Sequence, residues 1–330
     1  MVAFFDRNYI AEVNIPFKVP TISLGHVKHG VYFTRIPTIF LAFIKIRKVA
    51  DESTELFVLS QDMLIPAFFL KKKRMYFEIN DLRYFSNPLI TFFYDLLKKI
   101  AYKKIDNLIV TSPRFRDHLI EKYQVFPGKI TVMENKLGKS SFPDFNHNPF
   151  HKLGNKTLVL GIIGMLRYEN VIWLLKAYQK IKPSFRIGIW GTGPLIPNVL
   201  QYTDMDNVVF HGAFDGSTDL SGIYQQIDLS FVMYDNRNLN VRLALPNKLY
   251  ESMYFKKPLV VSDNTFLSLK IEELGIGFSW DQRKMEDLIE YIDSRSFISY
   301  YNSMGEKFNA ISPSEIFESE DIFKKLITRS

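Results

Sequence analysis

The sequence contains no cysteine among its 330 residues. A disulfide-stapled scaffold, a thiolate metal site and a cysteine nucleophile are therefore excluded. Its six histidines are scattered, and no two of them stand four residues apart on a helical pattern. A structural zinc site is therefore not expected, because such sites need closely spaced histidine or cysteine ligands.

Long apolar runs and targeting signals are also missing. The first seven residues lack the basic stretch and apolar core of a signal peptide. The longest apolar run near the front, Ile36 to Ile44, contains Pro37 and Thr38 and is too short to span a bilayer. No segment is repetitive or of low complexity. These features predict a cytoplasmic protein.

Charge is the most uneven property of the chain. The net charge is +7, but residues 1–150 hold 22 basic against 14 acidic residues and residues 151–330 hold 20 against 21. Basic segments interleaved with apolar residues suit an anionic membrane surface, although solvated helix faces would give the same pattern. The clustering in one half favours a peripheral position at the inner face of the membrane, and no nucleic-acid partner is expected. The three basic segments are Ile44–Lys48, Phe68–Arg74 and Leu96–Lys104.

Short apolar runs alternate with helical patterns along the whole chain, which indicates βαβ units and parallel sheets. In the front half, helical patterns cover 35–49, 88–104 and 113–123, and Ser112 and Pro113 make a good helix start. The predicted strands there are Val2–Phe5, Thr21–Leu24, Leu56–Ser60, Met75–Ile79, Asn107–Thr111 and Ile130–Glu134. The second half has predicted strands Thr157–Gly161, Phe185–Trp190, Val208–His211, Leu229–Met233 and Leu259–Ser262, with helices Glu169–Ile181, Leu220–Gln226 and Asn247–Phe255.

The stretch Gly138–Asn155 is polar, rich in Gly, Pro and Asn, and has no period, which is typical of a linker. We therefore predict an α/β protein of two doubly wound, Rossmann-like domains facing across a cleft. The predicted parts are an N-terminal domain at 1–140, a linker at 141–155, a nucleotide-binding domain at 156–312 and a C-terminal helix at 313–330. A ligand is expected in the cleft, at the carboxyl ends of the sheets.

Two glycine-containing strand ends are candidate parts of a ligand site. The first carries Gly164 and, three residues later, Arg167, whose planar fork suits a phosphate. The second carries Gly191 and Gly193 but lacks the third glycine of a dinucleotide fingerprint, so an NAD site is not supported. Tight turns and a surface ion pair would explain both motifs equally well.

The third candidate is the run Ala244–Met253, in which Pro246 opens a predicted helix. Asn247, Lys248 and the free N–H groups of the first turn would then face an anion, and Glu251 would lie one turn further on the same face. A surface Lys–Glu helix is the alternative. A lysine near a helix N-terminus opposes the helix dipole unless it meets a ligand. The run therefore favours a diphosphate site.

The order and spacing of these motifs resemble the nucleotide-binding domain of retaining GT-B glycosyltransferases, especially family 4, over about residues 155–280. Asn207–Gly212, Ile223–Asp228, and Pro246–Glu251 followed by Lys257–Pro258 carry the same resemblance. The resemblance implies that Arg167 contacts the donor diphosphate and that Glu251 holds the ribose. It places Phe210–Gly212, with His211 and Gly212, near the base.

The sequence departs from that family at several positions. Leu243 stands where a first glutamate is common, and residues 168–173 lack a lysine that often follows the arginine. Lys248 is the candidate to supply that charge. In the front half, Tyr76–Arg83 resembles a strand-end motif of bacterial polysaccharide and lipid-carrier enzymes, with Asp81 as a candidate for positioning the acceptor or for capping the next helix. The opening strand resembles the family's second one, so either the first βα unit is missing or the sequence begins at an internal methionine.

The resemblance implies a retaining transfer of a sugar from a nucleotide-diphosphate donor to a lipid-linked or polysaccharide acceptor in cell-surface glycan biosynthesis, such as capsule assembly. The predicted catalytic residues are Asp81, Arg167, Lys248 and Glu251. The predicted donor-binding residues are Gly164, Arg167, Gly191, Gly193, His211, Gly212, Pro246, Asn247, Lys248 and Glu251. No cofactor or metal is expected, because Asp204 and Asp206 have the spacing of a metal motif but lie in a predicted loop. A catalytically degenerate binding subunit and a nucleotide-sugar epimerase of the same fold remain alternatives.

Overall fold

The computed structural model describes residues 2–6, 21–26, 36–59, 63–64, 67, 69–82, 87–139, 142, 148–154 and 156–318. The chain divides into two compact units, Met1–Met133 and Glu134–Ser330. In the described part of the chain, no helix is both long enough and apolar enough to cross a membrane.

The first unit holds two parallel sheets. Strands β1 and β2 pair with each other, and β3, β4, β5 and β6 form a four-stranded sheet in chain order. The described strands are β1 Val2–Asp6, β2 Thr21–His26, β3 Glu55–Val58, β4 Arg74–Ile79, β5 Asn107–Val110 and β6 Ile130–Val132, and the helices are α1 Ile36–Arg47, α2 Pro88–Lys104 and α3 Pro113–Tyr123.

Helices α2 and α3 begin in the same way, with a capping side chain followed by proline. Asn87 accepts hydrogen bonds from the backbone N–H groups of Leu89 and Ile90, at 2.9 and 3.3 Å. Ser112 accepts one from the N–H of Arg114 at 3.2 Å. Each cap satisfies N–H groups that the helix itself leaves unpaired, and the proline needs no such partner. The predicted start at Ser112–Pro113 is therefore confirmed.

The second unit is a six-stranded parallel sheet in the order β12-β11-β10-β7-β8-β9. From the central β7 the chain adds β8 and β9 on one side, then returns to add β10, β11 and β12 on the other, so the order reverses between β7 and β10. This is the doubly wound order of a dinucleotide-binding fold. The strands are β7 Val159–Met165, β8 Arg186–Thr192, β9 Val208–Gly212, β10 Leu229–Val232, β11 Leu259–Ser262 and β12 Gly277–Trp280.

The helices of this unit connect those strands and continue to its end. They are α4 Asn170–Ile181, α5 Ile196–Val199, α6 Leu220–Gln226, α7 Leu239–Leu243, α8 Asn247–Phe255, α9 Phe266–Leu274, α10 Met285–Ile292, α11 Arg295–Ala310 and α12 Pro313–Ile316. Strands β10 and β11 are buried at every position, because the sheet is covered on both faces. One continuous apolar core results.

Several boundaries differ from the sequence prediction. Strand β7 begins two residues later than predicted and runs on to Met165, because its register with β8 continues through Gly164 and Met165. Strand β12 and helix α9 were not predicted. Helix α8 has the predicted bounds, with Pro246 directly before it as the cap residue. Ser60 and the predicted helix beyond residue 318 lie outside the described residues.

The division between the units falls after Met133, because the residues that follow are held by the second unit. The Tyr250 hydroxyl donates to the Glu134 carboxylate at 3.0 Å, and the Lys136 ammonium donates to the Ser314 carbonyl at 2.8 Å. Leu137 forms a parallel bridge with Phe317. The residues just before the polar stretch that predicted a linker are thus anchored within the second unit.

Candidate functional site

A cavity of about 280 Å³ opens where β7 and β10 end, at the point where the strand order of the second sheet reverses. Parallel sheets of this order bind ligands in the crevice outside the carboxyl ends of the strands at that point. The end of β7, the residues just after β10 and the first turn of α8 line it. The lining residues are Ile162, Ile163, Gly164, Met165, Leu166, Tyr168, Val171, Phe231, Met233, Tyr234, Pro246, Asn247, Lys248 and Glu251.

Gly164 forms the floor of this cavity at the end of β7. Its φ of +125° lies in a region that residues with a Cβ rarely adopt, and a Cβ placed there would lie 4.0 Å from Lys248 Cε. The glycine is therefore required by the backbone turn, and it brings the strand end close to the Lys248 side chain.

Arg167 follows the strand and does not itself line the cavity, although its neighbours Leu166 and Tyr168 do. Its side chain is exposed, and the guanidinium carbon lies 5.0 Å from the centre of the Tyr168 ring. Among the residues that the structure describes, Arg167 forms no ion pair. The Tyr168 ring packs in turn against Tyr234, with ring centres 5.0 Å apart. A cation stacked on an aromatic ring is held in place while its N–H groups stay free to bind an anion.

Gly191 and Gly193 have a packing role at the end of β8. A Cβ on Gly191 would lie 1.8 Å from the Gly164 carbonyl oxygen, and one on Gly193 would lie 2.4 Å from the Leu166 carbonyl oxygen. Neither residue lines the cavity. Both glycines thus permit β8 to approach the ligand-facing end of β7, and their predicted contact with a donor stays a prediction.

Helix α8 points its N-terminus at the cavity. Pro246 is the cap residue, and no side chain caps the first turn. Asn247 is the exposed first residue of the helix, and the side chain of Lys248, the second residue, is only 12% exposed. Uncapped N–H groups and the positive end of the helix dipole therefore face the cavity together with an ammonium group, which is an arrangement suited to an anion.

Lys248 and Glu251 form a buried ion pair in this cavity. The distance from Lys248 Nζ to Glu251 Oε2 is 2.5 Å, and the Glu251 side chain is only 7% exposed. The fully buried Tyr224 donates its hydroxyl to the same Oε2 at 2.8 Å. Both hydrogen bonds end on Oε2, and Oε1 of Glu251 accepts none from the described residues. Of the three Lys248 donors, only one is used in this pair.

The tyrosines around the pair are held in their neutral form. Burial, reinforced by the charge of Glu251, raises the pKa of Tyr224 well above its usual value of 10.0. The same two causes raise the pKa of Tyr234. Tyr224 therefore stays neutral at physiological pH and donates to Glu251. This fixes the orientation of Glu251.

Three predicted site residues lie elsewhere. The exposed His211 stacks on Trp190 with ring centres 4.3 Å apart, and partial burial lowers the pKa of its imidazole. Gly212 ends β9 with a φ of +82° and has open space where a Cβ would stand. Asp81, just after β4, is an exposed residue of the first unit. Among the described residues, no group of three or more His, Asp and Glu side chains could hold a metal ion.

Sequence reasoning missed the aromatic residues of the site. Tyr224 stood in a stretch that resembled the family, but its contact with Glu251 joins residues 27 positions apart. Tyr168 directly follows Arg167, and Tyr234 follows β10. A tyrosine at a strand end signals little alone, because buried tyrosines are common in cores.

Comparison with known proteins agrees with this geometry. Residues 157–292 match the family described as "Glycosyl transferases group 1". No curated protein matches the chain. The matched segment begins just before β7 and ends at the last residue of α10, so it contains the cavity and all the strands of the second sheet.

Solved structures share the whole fold at low sequence identity. A sucrose-phosphate synthase from Thermosynechococcus elongatus is 16% identical with a TM-score of 0.66, over 94% of this chain and 84% of that one. HepE from Anabaena, in complex with UDP-glucose, is 14% identical with a TM-score of 0.63, over 93% and 85%. TarM is 15% identical with a TM-score of 0.62, over 88% of this chain but only 57% of TarM. The chain therefore has the GT-B type of fold, with two Rossmann-like sheets, and spans little more than half of TarM.

Proposed function

We propose that this chain, whose residues 157–292 match the family of group 1 glycosyl transferases, binds a nucleoside-diphosphate sugar in the cavity before α8 and transfers the sugar. The observation that supports this best is the uncapped start of α8 beside the ion pair of Lys248 and Glu251. HepE, which has the same fold, was solved with UDP-glucose, so uridine is the first base to test.

Two cationic side chains and the helix start would hold the diphosphate. Among the described residues Lys248 donates only to Glu251, with one of its three N–H donors, so it can bind a phosphate oxygen without losing the carboxylate. The exposed Arg167 lies between Leu166 and Tyr168, which line the cavity, and would reach the diphosphate from there. Asn247 offers its backbone N–H and its amide at the first helical position. A diphosphate there would also accept hydrogen bonds from the backbone N–H groups of Asn247 and Lys248, which have no partner among the described residues.

Glu251 would hold the ribose. Its Oε2 is occupied by Lys248 and Tyr224, whereas Oε1 has no partner among the described residues. A carboxylate oxygen accepts readily from a hydroxyl group, and a ribose diol offers two donors. Tyr224 and Lys248 therefore act as positioning residues for the oxygen that faces the sugar of the nucleotide.

The transfer itself would proceed with retention, as the resemblance to family 4 implies. An acceptor hydroxyl oxygen bonds to the anomeric carbon from the face that the diphosphate leaves. The bond between that carbon and the diphosphate oxygen breaks, and the hydroxyl proton passes to the departing oxygen. The chain's own contribution is to place the donor and to stabilise the negative charge of the diphosphate through Arg167, Lys248 and the start of α8. No metal is assigned to this step.

The acceptor we propose is a lipid-linked or polysaccharide chain in cell-surface glycan biosynthesis, such as capsule assembly. The protein would work in the cytoplasm at the inner face of the membrane, through its basic first half. Asp81, exposed at the end of β4, is the candidate in the first unit for positioning the acceptor.

The test is release of labelled sugar from UDP-, GDP- and ADP-sugars, with and without a polyprenyl-diphosphate-linked glycan acceptor. Acceptor-dependent transfer from one donor, abolished by Glu251→Ala, supports the proposal. Conversion of the donor to an isomer without an acceptor would instead identify an epimerase. Failure to bind any nucleotide would indicate a degenerate subunit and contradict the proposed function.

A further inference from the structure

In the middle of helix α2 of the first unit, the charged residues Asp95 and Lys98 are turned toward the protein, whereas large apolar residues of the helix are exposed. Lys98, with 4% of its side chain exposed, lies 2.9 Å from the Asp95 carboxylate and donates to the Tyr123 hydroxyl at 2.9 Å. Asp95 also pairs with Lys122 of α3 at 2.6 Å. This buried ionic network fixes α2 against α3, so the helix cannot turn its polar residues to solvent without breaking it.

The opposite face of α2 is a continuous apolar stripe, which we call the α2 stripe. Its members recur three and four residues apart and therefore line one side of the helix. Phe92 and Phe93, 64% and 56% exposed, are its largest side chains, and their rings pack edge to face at 5.7 Å. The α2 stripe consists of Leu89, Phe92, Phe93, Leu96, Leu97 and Ile100.

Positive charge surrounds the C-terminal end of this stripe. Lys103 and Lys104 are exposed in the last turn of α2. Lys129 adds a further ammonium, which donates to the carbonyl groups of Lys103 and Ile105 at 2.9 and 3.0 Å. Phenylalanine and leucine on one face with lysine at the edge is the composition of a helix that lies in the plane of an anionic bilayer.

We propose that the α2 stripe inserts into the headgroup and acyl boundary of an anionic lipid bilayer and that Lys103, Lys104 and Lys129 contact its phosphates. A second copy of the chain fits less well, because pairing two stripes would bring together two halves of charge +8 each. This inference goes beyond the proposed sugar transfer and does not depend on it. Insertion of the α2 stripe also differs from charge attraction alone. Added salt screens the attraction between lysines and phosphates, but it does not weaken binding by buried apolar side chains.

The experiment is vesicle flotation of the full chain with mixed phosphatidylglycerol and phosphatidylcholine vesicles, and with phosphatidylcholine alone, at low and high ionic strength. The wild type should bind the anionic vesicles and keep part of that binding at high ionic strength. Phe92→Ser/Phe93→Ser should lower the partition coefficient at least about tenfold at both ionic strengths, since two aromatic side chains no longer leave water. Phe126→Ser, at a Phe 71% exposed in the same unit and outside the stripe, is the matched control and should bind like the wild type.

Insertion depth gives a second readout. The natural tryptophans, Trp173, Trp190 and Trp280, all lie in the second unit, so Phe92→Trp adds the only such reporter to the first. Lipids brominated on their acyl chains should quench this added fluorescence. Equal binding by the wild type and the double serine variant would overturn the proposal. So would absence of binding to any vesicle, or self-association without vesicles that the double serine variant abolishes. No sugar nucleotide is used in these assays, so a negative result would not contradict the proposed donor site.

Discussion

The pair of Lys248 and Glu251 is the residue-scale feature on which the candidate site depends. A lysine in the first turn of a helix is disfavoured by the helix dipole, and burial of its ammonium adds a desolvation cost. Glu251 offsets both, at 2.5 Å and 7% exposure. A buried ion pair of this kind contributes little stability by itself, but removal of one partner leaves an uncompensated charge. The pair is therefore costly to keep, which agrees with a binding role.

Lys248→Met tests this directly, since methionine has nearly the length of lysine without its charge. We expect a loss of roughly 2 kcal/mol in the free energy of unfolding, because Glu251 keeps only Tyr224 as a partner. Urea unfolding measures it.

The chain provides a matched control in Lys270 and Glu273. They are also three residues apart on a helix and lie 2.9 Å from each other, but their side chains are 35% and 67% exposed. Lys270→Met should therefore change the free energy of unfolding by less than about 0.5 kcal/mol. Equal effects of the two substitutions would mean that burial of the Lys248 pair has no energetic consequence.

His118 gives the first unit a dependence on pH. Burial, together with the charges of Lys122 and Lys98, lowers the pKa of its imidazole below the usual 6.5, and Asp95 opposes this only in part. The unfolded chain therefore takes up the proton first as the pH falls. The stability that neutral His118 provides is present in full above pH 6.5 and is lost as the pH drops below it.

We expect His118→Gln to reduce the loss of stability on acidification. Urea unfolding of the wild type and the variant at about pH 7.5 and about pH 5.5 gives the comparison, because carboxyl groups common to both cancel in the difference. An identical change in the free energy of unfolding for both proteins would show that His118 does not titrate differently on folding.

At the scale of elements, the closeness of β7 and β8 shapes the cavity. Gly191→Ala would place a Cβ 1.8 Å from the carbonyl oxygen of Gly164, a residue that lines the cavity. Backbone atoms cannot move aside as a flexible side chain can. We expect a loss of roughly 3 kcal/mol in the free energy of unfolding, measured by thermal or urea denaturation.

Gly222→Ala is the control for that substitution. Gly222 is exposed in α6, and a Cβ there meets no atom within 4 Å. Alanine in a helix should instead add about 0.5–1 kcal/mol. Comparable destabilisation by both changes would contradict the packing role of Gly191.

The elements of the second unit could largely be predicted from sequence, for identifiable reasons. Helices α6 and α8 and strand β11 have the predicted bounds. Pro246 marks the start of α8, and the β-branched Val260 and Val261 mark β11. Strand β12 is as short as β11 but was missed, because Gly277–Trp280 begins with glycine and contains no β-branched residue. The reversal of strand order between β7 and β10 had no local signal, since pairing depends on the whole chain.

In the candidate site too, the sequence predicts contacts between neighbouring residues but not contacts between distant ones. Pro246, Asn247, Lys248 and Glu251 are adjacent in sequence, so helical geometry alone brings them together. Gly164 was recognised from its position at a strand end. The packing of Gly193 against Leu166 and the bond from Tyr224 to Glu251 connect distant parts of the chain, and no single sequence reveals such contacts.

At the scale of the whole molecule, the two halves of the chain differ in net charge and in the kind of binding surface that they carry. The first half has a net charge of +8 and presents the α2 stripe, whereas the second is close to neutral and contains the cavity. This division agrees with the proposed transfer, in which the first unit would meet a membrane-bound acceptor and the second a soluble donor. The group 1 match covers only the second unit, so the donor side of this account has the firmer support.

Titration of the full chain with UDP, GDP and ADP by isothermal calorimetry tests the central claim most directly, with Lys248→Met and Lys270→Met alongside the wild type. We predict that one nucleotide binds the wild type and Lys270→Met equally. Lys248→Met should bind it at least about tenfold more weakly, because a charged hydrogen bond to the diphosphate is lost. Binding of no nucleotide to the wild type, or equal binding to all three proteins, would contradict the account.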